Sequence, residues 1–218
     1  MRLSADGEVV VIHDPTVDRT TDGTGAVRDL PWAALRELDA GYRFVALDGT
    51  HSFRGTGVRL SRFEDVLETF PRMRLNVESK APEAAAPLRR IIERHGATHR
   101  VLFAAQWESD RKDARGYAGP WGSTREQVAL FRLARVTPRA DILQVPERFK
   151  GMAIVTPAFI ARAHRRNIPV QVWTVNDAAD MRRLLDWGVD GIQSDRPDIL
   201  AGVLTEWAGR PPAPGALP

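Results

Sequence analysis

Four side chains in this sequence have the types and positions for proton-transfer or phosphate chemistry, and all four lie in or at the end of short apolar runs. His13 closes VVVIHD, Glu78 and Lys80 fall two apart in RLNVESK, and Trp173 lies in VQVWTVND. An imidazole near neutrality can both take and give a proton, which suits a general acid/base. A lone histidine is more often a hydrogen-bonded core group. His13 instead follows four β-branched residues at a strand's mouth, and its alternation with Val9 and Val11 allows an inward-facing side chain. Glu78 and Lys80 share one strand face by their two-residue spacing. A carboxylate there is a hard oxygen ligand for Ca²⁺ or Mg²⁺, and the ammonium is a point charge for a phosphate. An ion pair of structural use only is the competing reading. For Trp173, core filler and substrate-facing wall stand level.

Those residues need strands to deliver them. Short β-rich apolar runs at 9–13, 74–78, 101–105, 142–145, 169–174 and 191–194 alternate with amphipathic stretches at 61–70, 83–95, 125–135, 157–166, 178–187 and 198–207. Ser61 with Glu64 three residues on has the form of a capping box, Gly96 and Gly188 stand as helix stops, and Asn176 or Asp177 as a helix N-cap. Strand–helix alternation predicts a parallel sheet with helices packed outside it. In a parallel α/β barrel the strand exits share one face, where active sites are built. An open doubly wound sheet also binds ligands at strand exits, but no glycine-rich phosphate loop supports a nucleotide fold. Residues 14–60 read as an insertion on the rim, 108–123 as a polar, mobile connection, and 208–218 as a disordered tail. The barrel is thus expected over 1–207.

The 218 residues suffice for one domain, and a net charge of +3 arises from scattered arginine. No basic stripe is interleaved with aromatics, so no nucleic-acid partner is expected. No apolar run is long enough to span a bilayer, and the first residues lack a signal-peptide pattern, so the chain reads as cytoplasmic with no integral membrane segment. The absence of cysteine excludes disulfides, thiolate ligands and a cysteine nucleophile. His51, His95, His99 and His164 receive no role. Oligomeric state is left open.

Taken together, DGEVVVIHDPTVDRTTDGTGAV, LRELDAG, FEDVLETFP, RLNVESK, VQVWTVND and GVDGIQSDRPD, in that order from Ala5 to about Leu200, resemble the glycerophosphodiester phosphodiesterase family. The resemblance implies a TIM-type (β/α) barrel that uses a divalent cation, Ca²⁺ or Mg²⁺. Its substrates are small glycerophosphodiesters, split into glycerol 3-phosphate and an alcohol. It further implies that His13 is one of two catalytic histidines, Glu78 a metal ligand, Lys80 a phosphate contact and Trp173 a wall of the glycerol pocket.

Family members also carry, ahead of these motifs, a strand ending in HRG, a helix and a strand ending in ExD. The first strand, the first helix and most of the second strand are therefore expected to be missing, on the order of thirty residues for a βαβ unit. On that expectation the barrel is incomplete, the chain as given is inactive, and the natural protein is longer. A non-catalytic truncated barrel that binds a phosphate ligand, and a phospholipase D-like relative, are the alternatives.

Overall fold

The computed structural model describes residues 1–209, which divide into two compact units that part between Pro120 and Trp121. The first opens on a hairpin of β1 (Arg2–Leu3) and β2 (Val9–Val10), paired antiparallel with Leu3 opposite Val9. This corrects the expected parallel strand at 9–13. The connection Ser4–Glu8 is a tight turn, far too short for a parallel crossover. Gly7 takes φ 90° there, a region that a residue without a Cβ enters at little steric cost. Past Val10 the chain leaves the ladder, and the Val11 N–H donates to the Ser61 carbonyl (2.9 Å).

Residues 14–60 fold on themselves around Val10, Ile12, Val17, Val27 and Leu35, with Leu30, Trp32, Leu38 and Leu60 against them. A 3₁₀ turn at Val27–Asp29 and one α-helical turn, α1 (Trp32–Leu35), lie within. Asp39 organises the rest, its carboxylate accepting from the Gly41 and Gly55 N–H groups.

Helix α2 (Phe63–Thr69) begins at Arg62 with no side-chain cap. The expected capping box is therefore not formed. Val10 bridges Arg62, which keeps the chain extended beyond Ser61, and the Glu64 carboxylate turns to Arg94 (2.6 Å) and His95 (2.8 Å) instead. At its other end Arg100 is buried and donates to the carbonyls of Leu67 and Phe70, acceptors that a helix end leaves unpaired, and to that of Met73 in the turn beyond.

A strand–helix–strand crossover follows. β3 (Leu75–Ser79) pairs parallel with β4 (Val101–Ala105) through α3 (Pro82–Arg94). Val77 and Ser79 are buried while Asn76, Glu78 and Lys80 face the other way, more open to solvent, the period of two that a strand imposes. Helix α3 buries Ala84, Ala85, Leu88, Ile91 and Ile92, and Gly96 ends it at φ 59°. The stretch 108–123, expected to be a polar, mobile connection, carries regular structure. Residues Glu108–Ala114 form a 3₁₀ helix packed on α3, and the Tyr117 hydroxyl donates to the Val101 carbonyl (2.6 Å). The glycines hid this packing, and the apolar contacts come from Ala114 and Tyr117, both buried.

The second unit is a three-stranded parallel sheet in the order β5 (Leu143–Pro146), β8 (Val170–Trp173), β9 (Gly191–Ile192), with a small hairpin of β6 (Arg148–Phe149) and β7 (Met152–Ala153). Helices α4 (Arg125–Leu133), α5 (Pro157–His164), α6 (Ala178–Asp186) and α7 (Pro197–Ala208) complete it. Leu143, Val145, Val170 and Val172 join Phe131, Phe159, Met181 and Leu184 in one core. The opposite sheet face carries a glutamine row, with Gln144 and Gln193 both donating to the Gln171 side-chain oxygen (3.0 and 3.3 Å). Gly191 makes room for it, since a Cβ there would stand 2.9 Å from Gln171 Cγ. Of the expected tail, Ala208 is the last helical residue, and residues 210–218 lie outside the described residues.

The fold is thus mixed α/β with parallel strands linked by helices. Among the described residues the sheets are separate parallel groups and two hairpins, not one closed ring. Of the two proposed caps before α6, Asp177 is the one in use, accepting from the Ala179 and Asp180 N–H groups (2.8 and 3.0 Å). Asp177→Ala should lower stability by about 1 kcal/mol, read as a shift of the denaturation midpoint without a change in slope.

Candidate active site

In the first unit the chemical residues meet around the β1–β2 hairpin and the exit of β3. The Arg2 guanidinium donates through Nε to the His13 carbonyl (3.1 Å) and through Nη1 to the Lys80 carbonyl (3.1 Å). The Lys80 N–H donates to the Met1 carbonyl (3.1 Å), and the Met1 amino group to the Glu78 carbonyl (2.5 Å). His13 and the Glu78–Lys80 strand exit, 65 or more residues apart in sequence, are therefore neighbours through the chain's first two residues.

His13 is not inward-facing as its alternation with Val9 and Val11 allowed. Its side chain is 70% exposed, and Nδ1 lies 2.7 Å from Asp14 Oδ1. The strand has ended at Val10, so period-two alternation no longer governs position 13. Asp14 is also bound by the Arg19 guanidinium. That hydrogen bond first, and the one from His13 second, pull the Asp14 carboxyl down to about 2. An ionised carboxylate can only accept. A His13 ring that is neutral in this contact donates from Nδ1 and keeps Nε2 as the acceptor. That is the tautomer of an oriented general base.

Glu78 and Lys80 share a face as expected, with Nζ 2.6 Å from Glu78 Oε2. Trp173 belongs to the second unit, where it is half-buried at the last residue of β8. Just beyond it Asn176 ties two strand exits together, accepting from the Ser194 hydroxyl (3.0 Å) and the Asp195 N–H (2.9 Å) and donating to the Asp195 carboxylate (3.1 Å).

For a divalent cation, Glu78 offers one hard oxygen ligand, its Oε2 already facing Lys80. Both Asp14 oxygens are engaged by His13 and Arg19. Ca²⁺ takes six to eight oxygens and Mg²⁺ six, so these side chains fall short of a cation shell by themselves. A second group could hold an ion: Glu64, Glu68 and His95 have ligand atoms within 4.8 Å of one another. It sits on α2 and the end of α3, away from the strand exit, and the Arg94 guanidinium occupies Glu64 Oε1. Sequence reasoning passed over Arg2, Asp14 and this trio. Asp14 had a visible signal, its place between His13 and Arg19 in HDPTVDR, whereas Arg2 had none.

The sequence profile described as the glycerophosphoryl diester phosphodiesterase family matches residues 1–199. The chain belongs to that family. A probable glycerophosphodiester phosphodiesterase 2 of Mycobacterium tuberculosis is 31% identical over 225 residues, covering 96% of this chain and 80% of its own length. A glycerophosphodiester phosphodiesterase of Bacillus subtilis is 26% identical, covering 91% and 73% respectively. Among solved structures, a family member from Agrobacterium tumefaciens superposes with TM-score 0.71 at 26% identity, covering 92% of this chain and 84% of its own. A phosphodiesterase from Oleispira antarctica, solved with the product sn-glycerol-3-phosphate, superposes with TM-score 0.73 at 22% identity, covering 93% and 81%. No helix among the described residues is long and apolar enough to cross a membrane.

The Asp14 geometry has a pH signature. A folded-state carboxyl below its unfolded value of about 3.9 stabilises the fold above that value and loses this contribution as pH falls through about 2. NMR titration of the Asp14 carboxyl carbon should show a midpoint near 2, and Arg19→Ala should move it upward toward the ordinary carboxylate range.

Proposed function

We propose that this chain hydrolyses small glycerophosphodiesters to glycerol 3-phosphate and an alcohol, on the TIM-type (β/α) barrel fold that the family resemblance implies. The observation that carries the reading is the His13–Asp14 contact (2.7 Å), made by a histidine that the family match spans.

In the proposed reaction the oxygen of water forms a bond to phosphorus and the bond from phosphorus to the alcohol oxygen breaks; where a substrate hydroxyl attacks first, the same bond to the alcohol breaks to leave a cyclic phosphate diester, which water then opens to glycerol 3-phosphate. His13 Nε2 takes a proton from the nucleophile or returns one to the leaving alcohol. The ionised Asp14 steadies the imidazolium that forms. Lys80 supplies positive charge to the phosphoryl oxygens, where charge-assisted hydrogen bonds are strong. For Trp173, in the second unit, the proposal keeps the role that the family resemblance implies, a wall of a glycerol pocket.

A divalent cation, Ca²⁺ or Mg²⁺, belongs to the proposal with Glu78 as one ligand, and its chemistry is to polarise phosphoryl oxygens. Because Glu78 is one carboxylate alone, turnover by these 218 residues is proposed to be slow.

A coupled assay for glycerol 3-phosphate release from glycerophosphocholine tests this. EDTA should abolish the rate. His13→Ala should reduce it on the order of 10²-fold or more, and an unchanged rate would remove His13 from the chemistry. Lys80→Ala should weaken binding of glycerol 3-phosphate about tenfold or more, as expected for a lost hydrogen bond between charged groups.

A further inference from the structure

The second unit carries an arginine-lined recess that the proposed reaction does not use. Arg135, Arg162, Arg165, Arg166 and Ala158 line a space of about 400 Å³. Arg135 follows the end of α4, and Arg165 and Arg166 follow the end of α5. Each of these helices leads into the start of a parallel strand, α4 to β5 and α5 to β8. Arg135, Arg165 and Arg166 therefore leave the backbone at the strand-start end of this sheet, whereas Trp173 is at the strand exit.

Three features set this group apart from solvated surface charge. None of the four arginines makes an ion pair with a carboxylate among the described residues. Asp190, at the same end of the sheet, is engaged by the His164 ring (2.8 Å) and the Val170 N–H (2.7 Å). The Arg162 head is held in place, its guanidinium carbon 4.9 Å from the Phe131 ring centre and 5.8 Å from that of Phe159. Yet its buried Nε–H has no hydrogen-bond partner, an omission that native interiors seldom tolerate. Burial, and then the charges of Arg135, Arg166, Arg132 and Arg165, hold the Arg162 guanidinium below its ordinary value.

Finally, Arg135 adopts φ 59° just past a helix C-terminus, where glycine is the usual occupant. A long cation is kept at a position that costs it backbone strain. Helix dipoles favour one or two cations at such ends, but they do not account for four converging on one space.

We propose that this recess is a phosphate-binding site, taking a free phosphate or phosphate monoester, or the phosphate of a lipid headgroup, against the forked donors of Arg162 and its neighbours. Binding relieves the mutual repulsion of the clustered guanidinium groups.

The test follows ¹⁵N shifts of the full chain as inorganic phosphate is added at constant ionic strength, with vesicles of phosphatidylglycerol or phosphatidylcholine as a second arm. Saturable shifts at Arg162 Nε and at the amides of 135 and 162–166 are expected with one of these phosphate sources, retained in Lys80→Ala. Response to inorganic phosphate identifies a soluble ligand, and response to phosphatidylglycerol vesicles alone identifies a headgroup. Arg135→Gly should raise the unfolding temperature in chloride, because it removes strain and repulsion, while losing most of the rise that phosphate gives the parent chain. An equal response to chloride, or a phosphate response unchanged in Arg135→Gly and Arg165→Ser, would overturn the proposal.

Discussion

The Arg2 guanidinium reaches the carbonyls of both His13 and Lys80, and the first unit's chemistry depends on that bridge. A guanidinium presents several donors in a fixed plane, so one side chain can fix the spacing of two backbone segments that have no ladder between them. The tight turn at Ser4–Glu8 sets β1 against β2, the Met1 and Lys80 backbones join β1 to the exit of β3, and Arg2 closes the triangle. Without it, the backbone past Val10 would lose the one side chain that reaches both His13 and Lys80, leaving the hairpin and the Met1 contacts to keep the two segments near each other.

Within that frame, side chains are aimed by simple means. Strand period two places Glu78 and Lys80 together while burying Val77 and Ser79 against the helix side. Asp14 orients the His13 ring by being unable to donate. In the second unit the same alternation separates the Val170 and Val172 core face from the glutamine row and Trp173. Arg135, Arg165 and Arg166 leave the backbone at the other end of that sheet, so the helix C-termini and the strand exits carry different chemistry on one scaffold.

Much of this was legible in the sequence, because parallel strands buried on one face and amphipathic helices leave strong periodic signals. Leu75–Ser79, Val101–Ala105 and Val170–Trp173 lie within a residue of the expected runs. The joint face of Glu78 and Lys80 and the Asp177 cap were equally visible. What escaped was set by tertiary contact. The antiparallel pairing of Val9–Val10 depends on two residues at the chain's start. The capping box at Ser61 lost to a backbone bridge at Arg62 and to Arg94 and His95 competing for Glu64. The 3₁₀ helix in 108–123 owes its order to packing on α3, which its polar composition conceals.

The central claim is that His13, Glu78 and Lys80 form one phosphate-ester site. The most direct measurement is an amide and imidazole NMR map of the protein titrated with glycerol 3-phosphate. Shifts at His13 Nε2 and at the amides of Glu78 and Lys80 that saturate with a single dissociation constant are predicted. A His13 ring that stays silent while Lys80 responds, or the reverse, would contradict the account.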